Sequence, residues 1–128
     1  WDDPLEIVVG KLHPLAAMRR IDADTLVRHQ AVLPGAGTFT RELILAALGP
    51  RREQLRVGMS TNYLEVLRML VAIGLGWSAL PHTLIDDELK VVHIKEMKIR
   101  RELGIVTHSA RTLSNAAQAM IRIVNATK

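Results

Sequence analysis

Apolar residues in this chain fall into short clusters broken by charges, and the spacing inside the clusters switches between two periods. Pro4-Leu5-Glu6-Ile7-Val8-Val9 is rich in β-branched residues and reads as a strand. His13-Pro14-Leu15 closes it, because the residue before a proline avoids the helical region. Residues 22–27 read as one short helical turn, and Gln30-Ala31-Val32-Leu33 as a second strand ended by Pro34. Gly35-Ala36-Gly37-Thr38-Phe39-Thr40 then opens a helix that Thr38 or Thr40 can cap. Leu43, Ile44, Ala47 and Leu48 recur at helical spacing, and Gly49-Pro50 stops the run.

Leu55-Arg56-Val57-Gly58-Met59 alternates as a strand does. Ser60, Thr61 and Asn62 follow, all good capping residues, with Glu65 near the capping-box position for Ser60 or Thr61. Leu64, Val66, Leu67, Leu70, Val71 and Ile73 make a helix apolar nearly all round, expected to be buried on more than one side. Gly74-Leu75-Gly76 breaks it before a short strand, Trp77-Ser78-Ala79-Leu80, which Pro81 ends. Residues 90–94 and 104–108 are two further strand candidates. Leu113, Ala116, Ala117, Met120, Ile121 and Val124 form the stripe of a last helix. That stripe must cover this sheet, a domain outside the chain or another subunit, and covering its own chain is the simplest case.

From residue 30 the order is strand, helix, strand, helix, strand, which predicts an α/β domain with a mainly parallel, Rossmann-like sheet and right-handed crossovers. Ligands of such sheets bind beyond the carboxyl ends of the strands, where the next helices start. Here those starts carry Thr38 and Thr40 in one loop and Ser60, Thr61 and Asn62 in the next. Hydroxyls, backbone N–H groups and the positive ends of helix dipoles suit a carboxylate, sulfate or phosphate.

The 128 residues are 48% apolar, enough for one core and against disorder, and with no cysteine there is no disulfide scaffold, thiolate metal site or cysteine nucleophile. No apolar run reaches the length of a membrane span, and the start lacks a signal-peptide pattern. Trp1 stands where a methionine would begin a complete chain, so a processed or shortened protein is expected. Lys plus Arg is 17 against 13 Asp plus Glu, with pairs at Arg19-Arg20, Arg51-Arg52 and Arg100-Arg101. Such pairs fit either a nucleic-acid surface or solvated charge. Acids between them, and a chain with only four aromatic rings, favour solvated charge.

Other chemistry is thin. Gly35-x-Gly37-x-x-Thr40 resembles a dinucleotide fingerprint but lacks its third glycine, and Gly74-x-Gly76-x-x-Ala79 follows a helix instead of a strand. There is no Walker A sequence and no G-x-S-x-G elbow. His13, His29, His82, His93 and His108 never fall at helical ligand spacing, so surface or loop positions are expected and no metal site. Asp2-Asp3 and Asp86-Asp87-Glu88 read as solvated acids. No carboxylate pair is placed for acid–base work, and no enzyme or cofactor is expected.

Several segments together are similar to one family. Trp1 to Val9 followed by His13-Pro14-Leu15-Ala16 resembles the hinge strand and "HPLA" segment of LysR-type transcriptional regulators. Gly37-Thr38-Phe39-Thr40-Arg41 resembles their ligand loop. The most specific piece runs through residues 60–71 into Gly74-Leu75-Gly76-Trp77-Ser78-Ala79-Leu80-Pro81, like the family's V-x-x-G-x-G-x-x-x-L-P stretch. Arg111-Thr112-Leu113-Ser114-Asn115-Ala116-Ala117 is similar to the start of its last helix.

The resemblance implies the effector-binding domain of a bacterial, cytoplasmic regulator, with the two-subdomain fold of type 2 periplasmic binding proteins. Residues 1–95 would be the second subdomain, with residues 5–10 as its hinge strand. Residues 96–128 would be the hinge return strand and a helix belonging to the first subdomain. The DNA-binding domain, a winged helix-turn-helix that would meet promoter DNA, lies outside the chain. Carried over by position, the effector contacts are Gly37, Thr38, Thr40, Ser60, Thr61 and Asn62. A small, anionic effector is expected, and a homodimer or tetramer in the full-length protein, with no membrane partner. The competing readings are a periplasmic-type solute-binding protein and a small α/β phosphate-binding enzyme.

Overall fold

The computed structural model describes residues 1–127. A long first strand, β1 (Asp2–Gly10), leads through a 3-10 turn at Pro14–Ala17 and a one-turn helix, α1 (Ala23–Val27), into β2 (Ala31–Leu33). Then come α2 (Phe39–Leu48), a 3-10 stretch at Gly49–Gln54, β3 (Val57–Ser60), α3 (Leu64–Ala72) and β4 (Ser78–Pro81). After a 3-10 turn at His82–Leu84, β5 (Leu89–Val91), β6 (Ile99–Glu102) and α4 (Asn115–Ala126) complete the chain.

Local chemistry accounts for most boundaries. Asp22 caps α1 by accepting from Thr25 N at 2.7 Å, and Thr38 caps α2. Ser114 caps α4, accepting from Ala117 N at 3.2 Å. Gly74 adopts φ 89 just past the end of α3, a conformation costly for any side chain.

Side-chain alternation sorts the core into two layers. Leu5, Ile7 and Val9 of β1, Ala31 and Leu33 of β2, and Trp77 and Ala79 pack with Leu26, Val27, Ile44 and Leu48 from α1 and α2. Val8, Val32 and Leu80 point to the opposite face and meet Leu67, Leu70 and Val71 of α3. The sheet is thus covered on both faces, as an α/β fold requires. Trp77 is fully buried, and its indole N–H donates to His29 O at 3.2 Å.

The parallel arrangement expected for the sheet holds on one side. β2 pairs with β3 in parallel, and a parallel bridge joins Ala31 to Trp77. The β1 ladders are all antiparallel, to β4 on one edge and to β5 and β6, end to end, on the other. The strand order is therefore β3-β2-β4-β1-β5. The direction of β1 has a geometric cause: it begins beside Pro81, at the end where β2 and β4 finish. A strand entering from that end has to run against its neighbours.

The strand expected over residues 104–108 is absent, and that stretch is exposed and irregular. The pairing strand is β6, matched residue for residue against the start of β1: Asp3 with Arg101, Pro4 with Arg100. The acids expected to be solvated are held here. Arg101 donates to Asp3 Oδ2 from Nε at 2.9 Å and also from Nη2, with both side chains less than a fifth exposed. Arg100 reaches Asp2 at 3.0 Å. The second acidic run is held too, by Arg68, which lies 2.7 Å from Asp86 and 3.1 Å from Glu88.

His13 is buried and not a surface histidine. Its Nδ1 accepts from Leu15 N at 3.1 Å, and its ring sits 5.3 Å from that of His29. Burial, with the neighbouring His29 second, pulls its pKa below the usual 6.5. The apolar stripe leading into α4 is only partly covered: no residue of α4 is buried, Leu113, Ala117, Ile121 and Val124 are half-buried, Leu113 and Ile121 share a hollow with Trp1, Leu103 and Ile105, and Met120 is more than half exposed.

Candidate functional site

Because β2 and β3 are parallel neighbours, the loops that leave them emerge side by side. Of the six residues singled out by sequence, Ser60 ends β3 and the other five lie in those two loops or at the start of α2. Their side chains tie the loops together. Asn62 Oδ1 accepts from Gly35 N at 2.9 Å, joining the second loop to the first. A Cβ on residue 35 would come within 2.6 Å of that oxygen, so the contact depends on Gly35. Thr38 Oγ1 donates to Gly35 O at 2.8 Å and accepts from Arg41 N at 3.4 Å. Gly37 turns the loop at φ 78.

Arg41 is the central cation of the arrangement. Its Nη1 donates to Pro34 O at 3.2 Å and to Ser60 Oγ at 3.2 Å, spanning the two loops. No carboxylate among the described residues forms an ion pair with it. A guanidinium carries five N–H donors, so donors remain for an external acceptor. In the sequence Arg41 belongs to the helix start and has no role assigned to it. The signal was present: three residues past a cap, a helical side chain leans back over the first turn.

The other positions are placed differently from one another. Thr40 Oγ1 accepts from Arg101 Nη1 at 3.2 Å, so the return strand β6 reaches the start of α2. Nothing local to residue 40 could have announced a partner 61 positions away. Thr61 N donates to Leu33 O at 3.2 Å, and Thr61 Oγ1 accepts from Tyr63 N at 3.3 Å. Neither Ser60 nor Thr61 is the cap of α3. That position is Tyr63, with no side-chain hydrogen bond, and Glu65 pairs with Arg68 at 3.4 Å and forms no capping box. The helix starts three residues later than Ser60 needs, because Thr61 and Asn62 are held to β2 and its loop. Phe39 and Tyr63 stand largely exposed beside the two starts.

The result is a polar shelf: an un-neutralised arginine, three hydroxyls, two helix N-termini and two flanking aromatic rings. It attracts negative charge. Next to it, Trp1, Asp2, Phe39, Arg100, Glu102, Leu103 and Gly104 line an open hollow of 960 Å³. Among the described residues no group of three or more His, Asp or Glu is placed to hold a metal ion, and no helix is long and apolar enough to cross a membrane.

The model for the LysR substrate binding domain matches residues 1–128. The chain belongs to the LysR substrate-binding domain family. This LysR domain is 30% identical, over 96% of its length, to the "Probable RuBisCO transcriptional regulator" of Synechocystis sp., and covers 38% of that protein. It is 28% identical to the "RuBisCO operon transcriptional regulator" of Allochromatium vinosum, covering 96% of the chain and 42% of the relative. The chain thus spans about two fifths of the length of the curated relatives it matches, and these are regulators by name, not enzymes.

Solved structures agree on the fold. The CcmR regulatory domain of Synechocystis, in complex with 2-PG, superposes with a TM-score of 0.78 at 24% identity, over 98% of this chain and 63% of that one. The C-terminal domain of a probable LysR family regulator from Rhodococcus sp. RHA1 gives 0.71 at 25% identity, over 98% and 64%. The expected fold class, α/β of the type 2 periplasmic-binding-protein kind, is the one observed.

Proposed function

We propose that this LysR domain senses a small anionic effector for a transcriptional regulator. The observation that carries the reading is Arg41, held between Pro34 O and Ser60 Oγ with no carboxylate to neutralise it. An anionic group there meets the guanidinium, the Ser60 and Thr61 hydroxyls and the N-termini of α2 and α3, while Thr38, its proton given to Gly35 O, holds the loop that presents Arg41. Gly37 shapes the loop, Asn62 pins it to its neighbour and Thr40 flanks it. Two domains of this fold have been solved with small molecules, CcmR with 2-PG and QuiR with shikimate, which supports a ligand-sensing role.

In this reading residues 1–95 form one subdomain around the shelf, and residues 96–128 return to a second one. The half-exposed stripe of α4 and the irregular stretch 103–114, exposed except at Leu113, support a separate last helix, while Met97 and Ile99 pack in the core with β1 as a returning hinge segment does. Effector that bridges both subdomains favours the closed state, and only by its differential affinity for it. A regulator of this kind acts in the cytoplasm as a homodimer or tetramer and meets promoter DNA through a winged helix-turn-helix outside the present chain. The much longer regulators it matches support that arrangement.

The test is titration of ¹⁵N-labelled chain with 2-PG and, separately, with inorganic phosphate, followed by amide chemical shifts. Saturable shifts confined to residues 35–41 and 60–65 are expected, weakened in Arg41→Gln, Thr38→Val and Thr61→Val. Loss of one charged hydrogen bond in Arg41→Gln corresponds to about tenfold or more in affinity. Unchanged affinity in all three variants, or shifts centred elsewhere, overturns the site.

A further inference from the structure

The structure re-sorts the basic residues. Arg51, Arg100 and Arg101, from pairs that looked alike in sequence, are engaged with Asp24, Asp2 and Asp3. Arg19 and Arg20 form no ion pair among the described residues, nor do Lys90, Lys95 and Lys98, and all five are exposed. These five come from two distant segments, the turn before α1 and β5 with the stretch after it, and they converge on one face. His93 is the hub. It lines one hollow with Arg19, Arg20 and Lys95, a second with Arg19 and Lys90, and a third with Lys95 and Lys98. Asp22 and Glu96 share the first hollow and Glu6 the third, and Asp22 is already engaged in capping α1.

We propose that this face is a sequence-independent contact for the phosphate backbone of duplex nucleic acid. The cations line three adjoining hollows and do not converge on one point, which suits a repeating anion better than a single small one. Duplex DNA offers one negative charge per about 1.7 Å of axis. The face has no Phe, Tyr or Trp, and Met18 is the one large apolar side chain exposed among its lining residues. It therefore lacks the Trp, Tyr and large apolar anchors that hold protein partners or enter a bilayer, and it has the polar, positive character of protein–DNA interfaces. Lysines on an edge strand also discourage sheet-to-sheet pairing, which accounts for Lys90. That role does not account for Arg19 and Arg20, which lie on a different segment. The face is distinct from the anion shelf: β5 and β3 are opposite edges of the sheet.

The test is fluorescence anisotropy of a labelled duplex of scrambled sequence titrated with the chain over a range of salt. Binding is expected with a log–log salt slope of about −4, flattened by about 0.9 for each cation removed. The variant R19Q/R20Q/K95Q/K98Q is expected to lose on the order of 100-fold at the lowest salt. The double variants R19Q/R20Q and K95Q/K98Q are each expected to remove about half of the slope change, so the result does not hang on one protein's folding. The control K11Q/R52Q/R111Q/R122Q removes equal charge from exposed positions outside the face. The proposal fails if no binding occurs at the lowest salt, or if the control loses as much as the face variant. It also fails if polyglutamate displaces the labelled duplex as well as unlabelled duplex of equal charge, which would mark an acidic protein as the partner.

Discussion

Replacing Gly76 by alanine tests how the two halves of the sheet are joined. A Cβ at position 76 would lie 2.4 Å from Gln30 O, 3.1 Å from Gln30 C and 3.3 Å from Val32 Cγ2. The obstacle is backbone, so it cannot swing aside, and the two segments must part by more than half an ångström. They are joined at this point by Trp77 N donating to Gln30 O at 3.1 Å and Val32 N donating to Trp77 O at 2.8 Å. Overpacking costs about 1–3 kcal/mol, and each weakened backbone hydrogen bond adds about 1 kcal/mol, so Gly76→Ala is expected to cost about 3 kcal/mol. Gly74→Ala is the contrast. Its φ of 89 is strained for alanine, but nothing lies within 4 Å of the added Cβ. That cost is about 1 kcal/mol. Urea unfolding followed by the fluorescence of the buried Trp77 separates them. With a slope of about 1.5 kcal/mol/M, the midpoints fall by about 2 M and about 0.7 M respectively. Equal shifts, or a Gly76→Ala shift no larger than that of Gly74→Ala, would show that close approach does not govern this junction.

Two further outcomes follow from buried polar groups. Ser78 Oγ is buried beneath α3, beside Val8, with no hydrogen-bond partner among the described residues. Ser78→Ala is therefore expected to leave stability unchanged or raise it by up to about 1 kcal/mol, measured in the same urea assay, and a loss would reveal a partner for the hydroxyl. His13 has a pKa held below 6.5 in the folded chain, so the unfolded chain binds the proton first as pH falls. Its contribution is present above pH 6.5 and declines as pH drops through that value toward the lower folded pKa. Protonation of Nδ1 also removes the acceptor for Leu15 N. Thermal melts between neutral and mildly acidic pH should lose more stability in the parent chain than in His13→Gln, and parallel losses would remove His13 as the cause.

Much of the site was legible because it is local. The β2–α2 and β3–α3 loops sit where strand-to-helix switches, capping residues and glycine turns put them. The helix expected to be buried on more than one side, α3, buries only Leu67, Leu70 and Val71 and leaves Val66, Met69 and Ile73 exposed. What escaped depends on contacts across long separations. β6 carries Ile99 with Arg100, Arg101 and Glu102, so it has no apolar alternation. It is a strand because Asp2 and Asp3, 98 residues earlier, supply its partners. Residues 104–108 have β-branched composition but no ladder to join among the described residues, and they stay irregular. The same logic explains the arginine pairs. Of identical dipeptides one is neutralised at both arginines, one at Arg51 only and one at neither, according to which acids the fold brings near, which spacing along the chain does not encode.

The bond from Arg101 to Thr40 makes the doorway of the domain part of its lock. Arg101 lies on the strand by which the chain leaves, Asp3 on the strand by which it enters, and Thr40 on the first turn above the anion shelf. Any shift of the Thr40 hydroxyl meets the guanidinium that latches both strands. The first turn of α2 and the path by which the chain departs are thus parts of a single hydrogen-bonded joint.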